Sequence, residues 1–86
     1  MNTVISTTKA PAAVGPYSQA IKAGNTVYCS GQIGLDPATG KFADGGVQAQ
    51  ATQAMKNIQA VLTAAGLTLD NVVKTTVLLT DIADFA

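Results

Sequence analysis

Residues 17–33, YSQAIKAGNTVYCSGQI, carry the clearest local signal in the chain, the pattern of a β-hairpin. Two stretches rich in strand-forming residues, 17–23 and 26–33, flank Gly24 and Asn25, a pair that suits the positive φ angles of a two-residue turn. A loop of that length fixes the register of the two strands. It predicts three cross-strand pairs: Ala23 with Thr26, Ile21 with Tyr28, and Gln19 with Ser30.

Strand alternation sorts the side chains of this hairpin onto two faces. One face is small and apolar and consists of Ala20, Val27, Cys29, Gly31 and Ile33. The other is mixed and consists of Tyr17, Gln19, Ile21, Tyr28, Ser30 and Gln32. A helix is expected to cover the apolar face, with Cys29 buried as a small hydrophobe. The mixed face is too apolar to stay open and too polar for a dry core, which favours self-association around a polar cleft.

An amphipathic helix is predicted over Val47–Ala65, with Gly66 as its C-terminal capping glycine. Its apolar residues recur at three- and four-residue steps: Val47, Ala51, Ala54, Met55, Ile58, Val61, Leu62 and Ala65. The opposite face is expected to be solvated: Gln48, Gln50, Gln53, Lys56, Asn57 and Thr63. The remaining predicted elements are a loop at 34–46, an edge strand at Thr3–Ser6, a helical turn at Thr68–Asn71 and a strand at Val73–Thr80. This order of elements favours an α+β fold with the helix on one face of the sheet.

The last residues of the sequence begin an element without completing it. Asp81 is a good N-cap, and Asp84 lies in the first turn, where a negative charge is favoured. Only residues 82–86 remain for that helix, and isolated helices shorter than ~12 residues are marginal. We therefore expect residues 1–86 to form a single domain that is incomplete at its C terminus.

Composition argues against several classes of function. Five Lys and five Asp give no net charge, and the sequence has no Arg, His, Glu or Trp. Nucleic-acid binding therefore has no electrostatic basis, and one chain has no Ser-His or Cys-His pair for nucleophilic catalysis. A zinc site is disfavoured with a single Cys and no His. No uncharged run reaches the ~18 residues that a membrane span needs, and no secretory signal is recognisable. A single cysteine fits a reducing compartment. We therefore expect a soluble, cytoplasmic protein.

Two short strings contain the best candidates for a binding site, GPYSQA at 15–20 and SGQIG at 30–34. In a functional interpretation, the Tyr17 hydroxyl donates or relays a proton, while the Ser30 hydroxyl and the Gly31 amide donate to a carboxylate or carbonyl. In a structural interpretation, Tyr17 is a packing aromatic residue and Gly31 marks a bulge or a close helix contact. The strings alone favour the structural interpretation, because they are short and common. Lys74 is interpreted as a solvated strand lysine, because a Schiff-base lysine would need burial to lower its pKa.

Longer stretches of the chain resemble the RidA family, also called the YjgF or L-PSP family of reactive-intermediate imine deaminases. The resemblance rests on four strings: APAAVGPYSQA within 7–20, GNTVYCSGQIGLDPATG at 24–40, QAMKNIQAVLTAAG at 53–66 and LDNVVKTTVLLTDIADFA at 69–86. It extends over nearly the whole chain, and the combination is more specific than any one string. With it, the functional interpretation of Tyr17, Ser30 and Gly31 becomes the favoured one.

The resemblance implies a chorismate-mutase-like fold assembled as a homotrimer with three intersubunit clefts. It implies hydrolysis of 2-aminoacrylate and related enamines or imines to 2-oxo acids and ammonia, without a metal or an organic cofactor. Tyr17 resembles the family's water- or proton-handling tyrosine, and Ser30 and Gly31 resemble residues that line its carboxylate pocket. The family's substrate-gripping arginine and water-activating glutamate belong to a C-terminal third without a counterpart in residues 1–86. These residues alone are therefore expected to be weakly active or inactive.

Other functions remain open beside the deaminase. The first is a small-molecule-binding or chaperone-like trimer whose cleft holds 2-oxo acids without turnover. The second is ribonuclease activity, against which the absence of net charge, His and Arg speaks. A purely structural domain is the remaining alternative.

Overall fold

A computed structural model describes residues 2–86 as a small antiparallel sheet with one helix packed on it. The strands are β1 (Thr3–Ile5), β2 (Ala20–Ala23) and β3 (Thr26–Cys29), in the sheet order β1-β2-β3, and the helix is α1 (Gly46–Ala64). Two single 3-10 turns follow, at Leu69–Asn71 and Ile82–Phe85. The α+β class is therefore as predicted.

The hairpin of β2 and β3 has the predicted two-residue loop and register. Ala23 pairs with Thr26, and Ile21 pairs with Tyr28. Both strands are shorter than predicted, but the third predicted pair is still in contact, because the Ser30 N–H donates to the Gln19 carbonyl at 3.0 Å. The predicted edge strand is present as β1, which pairs with the other side of β2. The hairpin therefore sets the frame of the sheet.

The core lies between α1 and the β1–β2 side of the sheet. Ile5, Ala20 and Val61 are at most 8% exposed and form one cluster with Ala10. Val27 of β3 packs against this cluster and is only partly buried. The helix thus covers the face of the sheet that alternation predicted to be apolar.

The outer part of that apolar face is not covered. Ile33 is 56% exposed and Cys29 is exposed. The prediction that Cys29 is buried is wrong, because the core is centred on β1 and β2 whereas Cys29 ends β3, at the edge of the sheet. Partial burial still withdraws its thiol from water, and this desolvation raises the pKa of Cys29.

Helix α1 ends as predicted. Ala65 is its C-cap, the Gly66 N–H donates to the Thr63 carbonyl, and the Leu67 N–H donates to the Leu62 carbonyl. These are the two bonds of a Schellman motif. Within residues 2–86, no helix has the length and apolar character that a membrane span requires.

Both faces of α1 differ from the prediction: apolar residues are exposed on one face, and a polar residue is buried on the other. On the apolar stripe, Val61 and Leu62 are buried, but Met55 is 50% exposed and Val47 is 43% exposed. On the face predicted to be solvated, Asn57 is 0% exposed. The prediction for Asn57 is wrong because its side chain bonds the loop that follows β3, a contact that helical periodicity does not reveal.

Residues 73–80 belong to no strand, so the predicted strand is not formed. Val73 is 98% exposed and Leu78 is 89% exposed. A strand is stabilised by hydrogen bonds to a neighbour, and among residues 2–86 this segment pairs with no other. The flanking turns do form, and the Asp81 carboxylate caps the last one by accepting from the Ala83 N–H at 3.0 Å.

Candidate functional site

Tyr17 lies in the loop that leads into β2 and is 50% exposed. A tight turn sets its position, since the Tyr17 N–H donates to the Gly15 carbonyl at 2.9 Å across Pro16. Gly15 has a φ of 112°, a backbone conformation that residues with a side chain rarely adopt. The GPY string therefore presents the phenol at the surface, where a ligand can reach its hydroxyl.

Ser30 follows β3 and is fixed by two hydrogen bonds to the segment after Tyr17. Its N–H donates to the Gln19 carbonyl at 3.0 Å, and its hydroxyl donates to the Ser18 carbonyl at 2.6 Å. The hydroxyl proton is thus already engaged within the chain. In this arrangement the Ser30 oxygen is free to accept a hydrogen bond, and it would have to leave Ser18 to donate one to a ligand.

Gly31 is exposed, and its surroundings are open. A Cβ atom built on it would meet no atom within 4 Å. The close helix contact of the structural interpretation is found instead at Gly34, where a Cβ would lie 2.6 Å from the Cα and carbonyl oxygen of Gln50. Gly31 therefore leaves space for a ligand to approach its main-chain amide.

The structure brings the two strings together without placing all their residues in one pocket. Ser30 contacts Ser18 and Gln19, the residues directly after Tyr17. A cavity of about 370 Å³ is lined by Tyr17, together with Ser18 and Gln19, the end of β1 and the loop that follows it. Ser30 and Gly31 do not line this cavity. Tyr17 and Gly31 are the chain neighbours of Ser18 and Ser30, which are joined by a hydrogen bond.

Gln19 is a structural component of the site. Alternation places it on the mixed face but does not reveal its burial, since it is only 3% exposed. Its Oε1 accepts from the Thr7 N–H at 2.7 Å, and its Nε2 donates to the carbonyls of Pro11 at 2.8 Å and Thr7 at 3.1 Å. The amide therefore holds the loop of residues 7–11 against the base of the Tyr17 segment.

Asn57 holds the other end of the SGQIG string. Its Nδ2 donates to the carbonyls of Ile33 at 3.0 Å and Leu35 at 2.9 Å, and its Oδ1 accepts from Gln53 Nε2 at 2.9 Å. The sequence pattern predicts neither buried amide. The main-chain carbonyls that accept from Gln19 and Asn57 are 8 to 24 residues away along the chain, and no local pattern indicates them.

Lys74 is exposed in the irregular segment between the two 3-10 turns. The burial that a Schiff-base lysine would need is therefore not present at this side chain. Its exposure agrees with a solvated lysine, although the strand expected around it is not formed.

Comparison with known proteins places this arrangement in a family. A family model described as Endoribonuclease L-PSP matches residues 7–86. The chain belongs to the RidA/L-PSP family. The match includes both strings of the candidate site and the whole of α1.

Relatives in the RidA/L-PSP family are close in sequence and structure. A Mus musculus protein named 2-iminobutanoate/2-iminopropanoate deaminase is 61% identical over 82 residues, which are 95% of this chain and 61% of that protein. The crystal structure of RidA from the Antarctic bacterium Psychrobacter sp. PAMC 21119 is 57% identical with a TM-score of 0.92, over 96% of this chain and 67% of that one. The structure of E. coli TdcF with bound serine is 42% identical with a TM-score of 0.91, over 96% of this chain and 65% of that one. The chain thus spans about three fifths of the length of the mouse relative.

Proposed function

We propose that the protein takes part in the hydrolytic deamination of imines of 2-oxo acids, such as 2-iminobutanoate, 2-iminopropanoate and the enamine tautomer 2-aminoacrylate. The products would be the 2-oxo acid and ammonia. The observation that carries the proposal is the 61% identity to a relative named for this reaction. The cytoplasm remains the proposed location, on the ground that the chain has one cysteine.

The open main chain at Gly31 supports a carboxylate subsite, because an accessible N–H is a good donor to a carboxylate. The half-exposed Tyr17 supports a role for its hydroxyl in delivering water to the imine carbon or a proton to the imine nitrogen. Water adds across the C=N bond to give a carbinolamine, whose C–N bond then breaks as nitrogen leaves as ammonia and oxygen becomes the ketone. An imine carbon is already electrophilic, so orientation and proton delivery supply much of what the reaction needs.

We propose that residues 1–86 supply only part of this site. They contain no Arg and no Glu, so a bidentate cation for the carboxylate and a Glu base must come from further chain or another molecule. A homotrimer with intersubunit clefts is the proposed assembly. In its support, Val4 is 63% exposed and Tyr28 is 65% exposed in a cross-strand row through Ile21 on the mixed face. The 86 residues alone are expected to turn over imines slowly or not at all.

A second candidate is a small-molecule-binding or chaperone-like trimer that holds 2-oxo acids or amino acids without turnover. The observation that favours it is the serine bound to TdcF, a molecule with a carboxylate and no imine. Ribonuclease activity is named in the description of the family model, but a chain without net charge, His or Arg offers little to bind or cleave RNA. We expect no RNA cleavage by repurified protein.

A chimera separates the enzyme from the binder. The part of the mouse relative that lies beyond the matched 82 residues would be joined to this chain. An amino-acid oxidase would generate 2-iminobutanoate in the assay, and the imine that remains would be measured with a chemical trap that does not respond to ammonia. The deaminase proposal predicts that the chimera removes the imine before it is trapped, and that Gly31→Ala in the chimera slows this reaction at least tenfold. A folded chimera that binds 2-oxobutanoate without turnover would overturn the deaminase in favour of the binder.

A further inference from the structure

Asn57 is a buried polar residue that has no part in the proposed chemistry. It has 0% exposure, and both of its amide hydrogens are donated to main-chain carbonyls, those of Ile33 and Leu35. Gln53 donates to its remaining oxygen at 2.9 Å. An apolar residue would fill this space without the cost of burying an amide. The side chain therefore fixes a segment of backbone rather than merely filling volume.

The segment that Asn57 holds continues directly from the candidate carboxylate subsite. Upstream, Ser30 is tied to Ser18 and to Gln19. Downstream, Ile33 is tied to Asn57 at 3.0 Å. The two residues between these anchors are Gly31 and Gln32, so both anchors together determine the direction of the Gly31 N–H.

A close backbone contact fixes the same segment against α1. Gly34 lies so near Gln50 that a Cβ would approach its carbonyl oxygen to 2.6 Å, and the Gly34 carbonyl accepts from the Ala43 N–H at 2.9 Å. Gln50, Gln53 and Asn57 follow one another at steps of three and four residues, which places them on one side of the helix. This side, predicted to be solvated, is the surface on which the SGQIG string rests.

We infer that Asn57 is a positioning residue for ligand binding: by holding the carbonyls of Ile33 and Leu35, it keeps the Gly31 N–H directed toward the carboxylate of the ligand. The ligand half of this inference rests on the proposed function. Asn57 itself does not touch the ligand. Its loss releases the downstream anchor and leaves the Ser30 anchor in place, so the Gly31 amide loses its fixed direction while Tyr17 keeps its turn.

Three variants of the 86-residue chain and the unchanged chain test this inference. Asn57→Asp keeps the shape of the side chain and removes both N–H donors, and Gln53→Ala removes the group that orients Asn57. Val61→Ala is the matched control, because it weakens the core from the same helix without touching the 33–35 segment. The ¹⁵N order parameter of the Gly31 amide is measured without ligand, and the Kd for 2-oxobutanoate is measured from the Gly31 amide shift.

We expect Asn57→Asp to lower the ¹⁵N order parameter of the Gly31 amide and to raise the Kd by about tenfold, roughly the effect of one net hydrogen bond, with smaller changes in the same directions in Gln53→Ala. Val61→Ala is expected to lower the unfolding midpoint while leaving the Kd within about twofold of the unchanged chain. If Asn57→Asp does not fold, Gln53→Ala decides. Folded variants with an unchanged Gly31 order parameter and Kd, or with effects no larger than those of Val61→Ala, would overturn the inference. Absence of 2-oxobutanoate binding by the unchanged chain would count against the carboxylate subsite that the proposed function places at Gly31, and the Gly31 order parameter would still decide whether Asn57 fixes this segment.

Discussion

The hydroxyl of Ser30 donates a hydrogen bond to the main-chain carbonyl of Ser18 over 2.6 Å. Together with the bond from the Ser30 N–H to Gln19, it extends the contact between the two arms of the hairpin beyond the last paired residues of β2 and β3. It also joins the segment that carries Tyr17 to the segment that carries Gly31. The two halves of the candidate site are therefore held by one side chain.

Replacing Ser30 by Ala should lower the free energy of unfolding by about 1 kcal/mol, because the partly buried Ser18 carbonyl loses its donor. Urea unfolding followed by circular dichroism measures the change. Ser6→Ala, at an exposed position, is the control and should alter stability by less than about 0.5 kcal/mol. Equal effects of the two substitutions would show that the Ser30–Ser18 bond contributes nothing.

Gly34 and Gly31 should respond to alanine in opposite ways. Gly34→Ala places a methyl group 2.6 Å from the backbone of Gln50 and should cost about 1–3 kcal/mol of stability, the usual range for overpacking. Gly31→Ala meets open space, so it should leave stability nearly unchanged while weakening 2-oxobutanoate binding by crowding the amide. Thermal unfolding and ligand titration of both variants measure this contrast. A stable Gly34→Ala variant would contradict the close approach of loop and helix.

Cys29 should make stability fall at alkaline pH. Desolvation raises the pKa of its thiol above the ordinary value of 9.0, so the folded state holds the thiol proton more tightly than the unfolded state does. This contribution to stability is complete below the unfolded pKa of 9.0 and is lost as the pH rises through the higher pKa of the folded state. Unfolding midpoints between pH 7 and pH 10.5 should therefore decline more in the unchanged chain than in Cys29→Ser. Parallel curves for the two proteins would rule this out.

Gln19→Ala should release the loop of residues 7–11. The substitution removes an acceptor for the Thr7 N–H and a donor for the Thr7 and Pro11 carbonyls, and should cost about 2–3 kcal/mol. Limited trypsin digestion detects the release, because Lys9 lies within the loop and its cleavage should become faster. Gln59→Ala, on the exposed side of α1, serves as the control. Unchanged cleavage after Lys9 would show that the loop is held by other contacts.

Local signals predicted the parts of the fold that local forces determine. Gly24 and Asn25 set the hairpin and its register, and Gly66 ended α1 within one residue of the prediction. The hairpin register also predicted that Ser30 contacts Gln19, and this contact brings the two strings of the candidate site together.

Long-range contacts decided the rest. Cys29 has the alternation of a core residue, but burial depends on how far the helix reaches across the sheet, and it does not reach the end of β3. Gln19 and Asn57 look like solvated amides until their distant carbonyl partners are known. Residues 73–80 have the composition of a strand, yet within residues 2–86 they have no strand to pair with.

A carboxylate subsite at Gly31 can be tested by titrating 2-oxobutanoate into the ¹⁵N-labelled chain and following the Gly31 amide. 2-Butanone, the same ketone with a methyl group in place of the carboxylate, is the matched control ligand. We expect a saturable shift of the Gly31 resonance with 2-oxobutanoate and no such shift with 2-butanone. A Gly31 resonance that is indifferent to both ligands, or that responds equally to both, would contradict a carboxylate subsite at this position.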